Sequence, residues 1–179
     1  MGGPEIDIPL VLRPCTSSIL ELSSGVRWSD VGKLDCTIAR ALAVIGDRWT
    51  LLVLRDAFLG TRRFVVFQAS LGVTRHRLAD RLAKLVKHGV LRRERYRDHP
   101  PRFEYRLTEK GLDLYAVVVS IAGWGDRHMA GKNGPPVERV HRACGHVATL
   151  RLTCEHCGAP VTARDMRARP GQAHRMEAT

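Results

Sequence analysis

The sequence predicts a mainly α-helical domain that carries a small β-wing, followed by a much smaller β-containing appendage organised by cysteine and histidine. Three observations lead there. From Cys36 to Gly89 apolar residues recur at helical spacing in short runs closed by glycine. From Val90 to Leu107 the pattern becomes strand-like around an Asp98-His99-Pro100-Pro101 break, where proline cannot donate to a ladder. Beyond position 132, three of the five cysteines crowd into Cys144 to Cys157.

Residues 1–34 carry Gly, Pro and Ser without sustained periodicity and read as a loose extension; Cys15 lies there and receives no role. From Cys36, the apolar residues Ile38, Leu42, Val44 and Ile45 predict a helix that stops near Gly46. Trp49, Leu51, Leu52, Leu54, Phe58 and Leu59 predict a second, ended by Gly60. A third runs from Arg63 to Leu71, with Phe64, Phe67 and Leu71 on one face. Thr74 is a suitable N-cap for a fourth helix, which Gly89 closes. Its Leu78, Leu82, Leu85 and Val86 should pack inward, leaving Arg75, His76, Arg77, Asp80, Arg81 and Lys84 outside.

Two strands follow, Val90 to Arg97 and Arg102 to Leu107. Phe103, Tyr105 and Leu107 alternate as an expected inward face, so Arg93, Arg95, Arg97 and Arg102 are expected to be free. Thr108 then opens a last long helix. Leu112, Leu114, Tyr115, Val117, Val118, Val119, Ile121, Ala122 and Trp124 make it apolar around much of its circumference. One domain core does not easily cover such a helix, which implies a homodimer interface; burial between the domain and the C-terminal appendage is the alternative.

Charge is distributed unevenly along this scaffold. The 179-residue chain has a net charge of +11, and residues 62–102 alone hold 12 basic against 3 acidic side chains. A cationic helix beside a cationic ribbon matches a DNA groove flanked by phosphates. In the order helix, turn, helix, wing, the start of the second helix reaches base edges. Arg75, His76 and Arg77 are therefore the expected readers of sequence, with Thr74 as the cap and Arg81 and Lys84 on phosphates. Arg93, Arg95, Arg97 and Arg102 would follow the backbone or enter the minor groove.

The C-terminal segment has its own pattern: His141-x2-Cys144-Gly-His146, then seven residues, then Cys154-x2-Cys157-Gly158. Two ligand-x2-ligand turns joined by a β-like stretch, Val147 to Thr153, suit a zinc ribbon with structural zinc. Cys144, Cys154 and Cys157 are three expected ligands. His141 is the fourth by spacing, with His146 as the alternative and His156, lying between two ligands, less suited. A redox-active Cys154/Cys157 pair and a turn that no longer holds metal stay open as readings.

Residues 36–126 resemble the HxlR-type winged-helix transcription regulators of bacteria, within the wider MarR-like group. The phrases that carry the resemblance are Cys36-Thr-Ile-Ala-Arg-Ala-Leu, Ile45-Gly-Asp-Arg-Trp-Thr-Leu-Leu-Val-Leu-Arg-Asp, Arg63-Phe-Val-Val-Phe-Gln, Arg81-Leu-Ala-Lys-Leu-Val-Lys-His-Gly-Val-Leu and Glu104-Tyr-Arg-Leu-Thr-Glu-Lys-Gly. The resemblance implies a homodimer on a pseudo-palindromic operator in double-stranded DNA, with the helix after Thr74 in the major groove. It does not separate a repressor from an activator, and it leaves room for a small-molecule effector. Some members of that family sense oxidants through a cysteine at the start of the first helix, which makes Cys36 a candidate redox sensor; simple packing is the alternative.

The expected division is therefore 1–34 extension, 35–131 winged helix-turn-helix and dimerisation domain, 132–165 zinc-ribbon-like appendage and 166–179 tail. The start of the chain lacks a positive n-region, and Ala116 to Ala122 is too short to span a bilayer, which implies a cytoplasmic protein without membrane contact. No phosphate loop, Gly-x-Ser-x-Gly, His-Glu-x-x-His or convincing carboxylate pair is present, so an enzyme is not expected. The alternative class is a zinc-ribbon RNA-binding or ribosome-associated protein, since ribbons and basic wings also serve RNA.

Overall fold

Helix α1, Thr37–Ile45, begins directly after Cys36, whose carbonyl accepts from the Arg40 N–H at 3.0 Å. The computed structural model describes residues 27–169; residues 1–26, with Cys15 and most of the expected extension, and residues 170–179 of the expected tail lie outside the described residues. Asp47 caps α2, Arg48–Phe58, its carboxylate accepting from the N–H groups of Trp49 and Thr50 at 3.0 and 3.2 Å. Helix α3, Phe64–Leu71, ends at Gly72 in the left-handed region. Helix α4, Arg75–Lys87, follows after only Val73 and Thr74.

Residues 41–150 make one compact unit. Its core takes Val53 and Leu54 from α2, Phe67 from α3, and Leu78, Leu82 and Leu85 from α4, all essentially fully buried. The i, i+4, i+7 spacing on α4 places those three leucines on one stripe, so α4 is fixed by its apolar side and its opposite side is left to solvent. Phe64 and Leu71 pack partly buried against the same core.

The wing consists of β1, Leu91–Arg97, antiparallel to β2, Arg102–Leu107. Its faces differ from the expectation. Arg97 pairs with Arg102, but Arg95 pairs with Phe103 and Arg93 with Tyr105, because the register shifts between Arg95 and Arg97. One extra residue in β1 flips the alternation, and directly paired residues share a face. Arg93 and Arg95 therefore lie on the Phe103–Tyr105 side. Tyr105 and Leu107 reach the core as expected, whereas Phe103 is only half-buried and carries the Arg93 guanidinium 3.6 Å above its ring. The segment before α3 joins the wing: Tyr105 N–H donates to Arg62 O at 2.8 Å, and Arg63 bridges Glu104.

The expected single last helix is two. Helix α5, Glu109–Leu112, stops, and α6, Tyr115–Met129, begins after Asp113 and Leu114. A Cβ on Gly111 would lie 2.2 Å from Val90 O, so α5 is pressed on the end of α4 where only glycine fits. The Thr108 hydroxyl fixes this approach, donating to Gly89 O at 2.6 Å while accepting from Gly111 N–H at 3.1 Å. The Leu114 amide then bonds Gly111 O, a tighter turn that redirects the chain into α6. Helix α6 turns Val118 and Val119 inward but leaves Val117, Ile121 and Trp124 exposed at i, i+4, i+7.

Beyond α6, the described residues contain two isolated bridges, Val140 with Val147 and Thr153 with Pro160, and no strand. The β-like stretch expected at Val147–Thr153 is thus limited to its two ends. Among the described residues no helix is long and apolar enough to cross a membrane.

Candidate nucleic-acid interface

The exposed side of α4 opens with Thr74, whose Oγ1 accepts from the Arg77 N–H at 3.5 Å. That bond fixes the first turn, the one bearing Arg75, His76 and Arg77, all exposed. The three are not equivalent. The Arg75 guanidinium lies 5.2 Å over the Phe64 ring on α3, which limits its rotamers without neutralising it. His76 Nδ1 is 3.2 Å from Asp80, a contact that is ionic only when the ring is protonated. Arg77 makes no salt bridge among the described residues.

Arg81 departs from the expected outward position. It is half-buried, with Nε 3.1 Å from Asp47, the residue that caps α2. One carboxylate thus holds the start of α2 and the middle of α4 together. Arg81 Nε is removed from solvent and lacks a well-aligned acceptor, so the pair is mainly electrostatic. Lys84, one turn on, is partly buried and has no acidic partner among the described residues.

The wing sorts its arginines into two classes. On one face Arg92 and Arg106 share Glu94, and Arg106 also meets Glu104 at 2.6 Å. Hydrogen bonding to Glu104 pushes the Arg106 guanidinium above its already high ordinary range. Sequence reasoning did not mark this neutralised ladder, although the i, i+2 spacing of Arg92 and Glu94 and of Glu104 and Arg106 was a usable signal. On the other face Arg93 stacks on Phe103, and Arg95 meets Asp98 at 3.0 Å near the tip. Arg97 and Arg102 face one another across the strands and form no salt bridge among the described residues, so like charge accumulates at the tip. Arg63 also adds cationic surface, 5.0 Å over the Tyr96 ring.

The candidate metal ligands form two local turns. His141 Nδ1 lies 3.3 Å from Cys144 Sγ. Cys154 receives hydrogen bonds from the backbone N–H groups of Cys157 and His156, and these hold its thiol below the ordinary thiol range. His146 and His156 lie within these turns. Among the described residues no group of three or more His, Cys, Asp or Glu side chains is gathered as a metal site. Cys36 is half-buried at the entry to α1.

Comparison with known proteins agrees with this architecture. Residues 44–133 match the HxlR-like helix-turn-helix family. The HTH-type transcriptional regulator Rv3095 of Mycobacterium tuberculosis is 46% identical over 135 residues, covering 75% of this chain and 85% of the relative. YdeP of Bacillus subtilis, also described as an HTH-type transcriptional regulator, is 31% identical over 105 residues, covering 58% of this chain and 82% of its own. Among solved structures, PA1607, described as a candidate transcription factor, has a TM-score of 0.70 at 38% identity, covering 78% of this chain and 98% of that one. The redox regulator HypR in its oxidised form has a TM-score of 0.50 at 31% identity, covering 54% of this chain and 100% of its own. The matched residues contain α2 to α6 and the wing, and on these grounds the chain belongs to the HxlR-like helix-turn-helix family.

Proposed function

We propose that this protein is a transcription regulator that binds a pseudo-palindromic operator in double-stranded DNA as a homodimer. The observation that carries the reading is the first turn of α4. Arg75 and Arg77 project from a helix whose other side is locked by Leu78, Leu82 and Leu85, so two guanidinium groups are presented on a rigid support. A bidentate arginine on guanine O6 and N7 is the contact such a helix offers the major groove. His76 stands beside them, and Lys84 and the remaining surface of Arg81 face the phosphates. Arg93, Arg95, Arg97 and Arg102 hold the flanking backbone, with Arg95 alone paired to a carboxylate among the described residues.

A second copy supplies the second reading helix that a palindrome requires. The exposed Val117, Ile121 and Trp124 stripe on α6 is the surface offered to it, apolar and continuous over two turns. Light scattering of the full chain should give a dimer, and Ile121→Glu should give a monomer with weakened operator binding. A monomeric wild type removes the dimer. Fluorescence anisotropy against duplex DNA, structured RNA and a single strand, over a salt series, tests the ligand class. The duplex should bind tightest, with log affinity falling linearly in log salt. Preference for RNA would favour the ribosome-associated reading.

A second reading concerns Cys36. Its position at the mouth of α1 allows oxidation to act on a helix end, and the likeness to HypR, a redox regulator, supports this reading. A thiol oxidant should change duplex affinity in the wild type and not in Cys36→Ser. An insensitive wild type rejects it.

A further inference from the structure

Between the end of α2, the base of the wing and α5 lies a cavity of about 330 Å³. That volume falls at the lower end of the range small-molecule sites occupy, about 300 to 1,000 Å³. Its wall divides by chemistry. Ala57 and Phe58 of α2, Leu107 of β2 and Leu112 of α5 supply apolar surface, whereas the charged groups on it are Arg62, Arg92 and Arg106. No acidic side chain among the described residues lines it.

The walls are held from several sides. Thr61 N–H donates to Asp56 O at 2.9 Å and closes the turn after α2, while Tyr105 N–H donates to Arg62 O at 2.8 Å and ties that turn to β2. The Phe58 ring meets Tyr115 edge-on, with centroids 5.1 Å apart. Leu112 follows Gly111, which is pressed on Val90 O. A ligand entering here meets preformed surfaces and orders little on binding.

The charges then select its class. Arg92 and Arg106 stand directly opposite one another across the strands, an arrangement that like charges disfavour unless carboxylates or an anion lie nearby. Glu94 answers both, and Glu104 answers Arg106. Arg62 is exposed and forms no salt bridge among the described residues. Three guanidinium groups against two carboxylates leave a surplus of one positive charge, which a monoanion neutralises. The apolar surface beside it suits a hydrophobic body.

We propose that this cavity binds a small hydrophobic monocarboxylate, its carboxylate on Arg62 and its body on Phe58, Leu107 and Leu112. Such a ligand borders α2, both strands and α5 together, at the base of the wing. The site stands independently of DNA binding, and its test contains no DNA.

Isothermal titration calorimetry of the full-length protein should show octanoate or naphthoate binding about tenfold or more tighter than the corresponding neutral amide. Naphthyl phosphate, a dianion, should gain nothing over naphthoate. Arg62→Ala should remove the preference for acid over amide, and Leu112→Trp, which fills the cavity from a half-exposed position, should remove binding of both. Should either variant fail to fold, amide NMR shifts of the wild type decide instead: the bound acid should move Gly60, Thr61 and Arg106. Absence of binding by both acids, equal affinity for their amides, or shifts that spare these residues overturns the proposal. Preference surviving Arg62→Ala overturns the carboxylate's placement, binding surviving Leu112→Trp overturns the site, and tighter binding of the phosphate overturns the monoanion.

Discussion

The helical unit and the C-terminal pair of turns hold their candidate functional groups in opposite ways. In the first, Leu78, Leu82 and Leu85 are fully buried beneath Arg75 and Arg77, so position is secured by apolar burial and the charged groups cost nothing to display. In the second, Leu150 and Leu152 are exposed and each turn is defined by backbone bonds around a His or Cys. The candidate DNA-facing surface is therefore mounted on a core, whereas the C-terminal turns are held by backbone hydrogen bonds.

Substitutions should separate these two modes. Leu82→Ala should cost about 2 to 5 kcal/mol in denaturant unfolding. Leu152→Ala, at a residue 70% exposed, should stay within about 0.5 kcal/mol. Equal losses would erase the distinction. Next in size is Gly111→Ala, which sets a methyl group 2.2 Å from Val90 O and should cost about 1 to 3 kcal/mol by overpacking. A neutral result would mean that α5 is not pressed on the end of α4.

Asp47 offers a finer cut, since it both caps α2 and pairs with Arg81. Asp47→Ala should cost about 1 kcal/mol for the cap, and Asp47→Asn, which keeps the cap, should cost less. If the asparagine variant loses as much as alanine, the ion pair with Arg81 outweighs the cap. A small stability effect, within about 1 kcal/mol, belongs to Glu94→Gln on the wing, because the ladder is largely solvent-facing. It should nevertheless steepen the salt dependence of duplex binding by releasing Arg92, while Arg106 keeps Glu104. An unchanged slope would place that face away from DNA.

The order of helices and wing was legible in the sequence because each element carries its own signal: the leucines of α4, the Thr74 and Thr108 caps, and the proline break between the strands. What was not legible depends on residues far apart or on a single-residue count. The split between α5 and α6 follows from Gly111 meeting Val90 O. The Arg81–Asp47 pair joins positions from different helices. The faces of Arg93 and Arg95 turn on one bulge residue, which alternation alone does not reveal. The C-terminal x2 spacing already set His141 against Cys154, whereas the backbone hydrogen bonds that shape each turn were not legible.

Operator reading depends above all on the first turn of α4. A duplex recovered by genomic capture with the full-length protein should be compared with its shuffled counterpart, using wild type and Arg75→Ala/Arg77→Ala in competition anisotropy. The double variant should lose preference for the captured sequence, by about 1 to 3 kcal/mol per bidentate contact, while keeping salt-dependent binding to both duplexes. Undiminished preference in the double variant would contradict that role for α4.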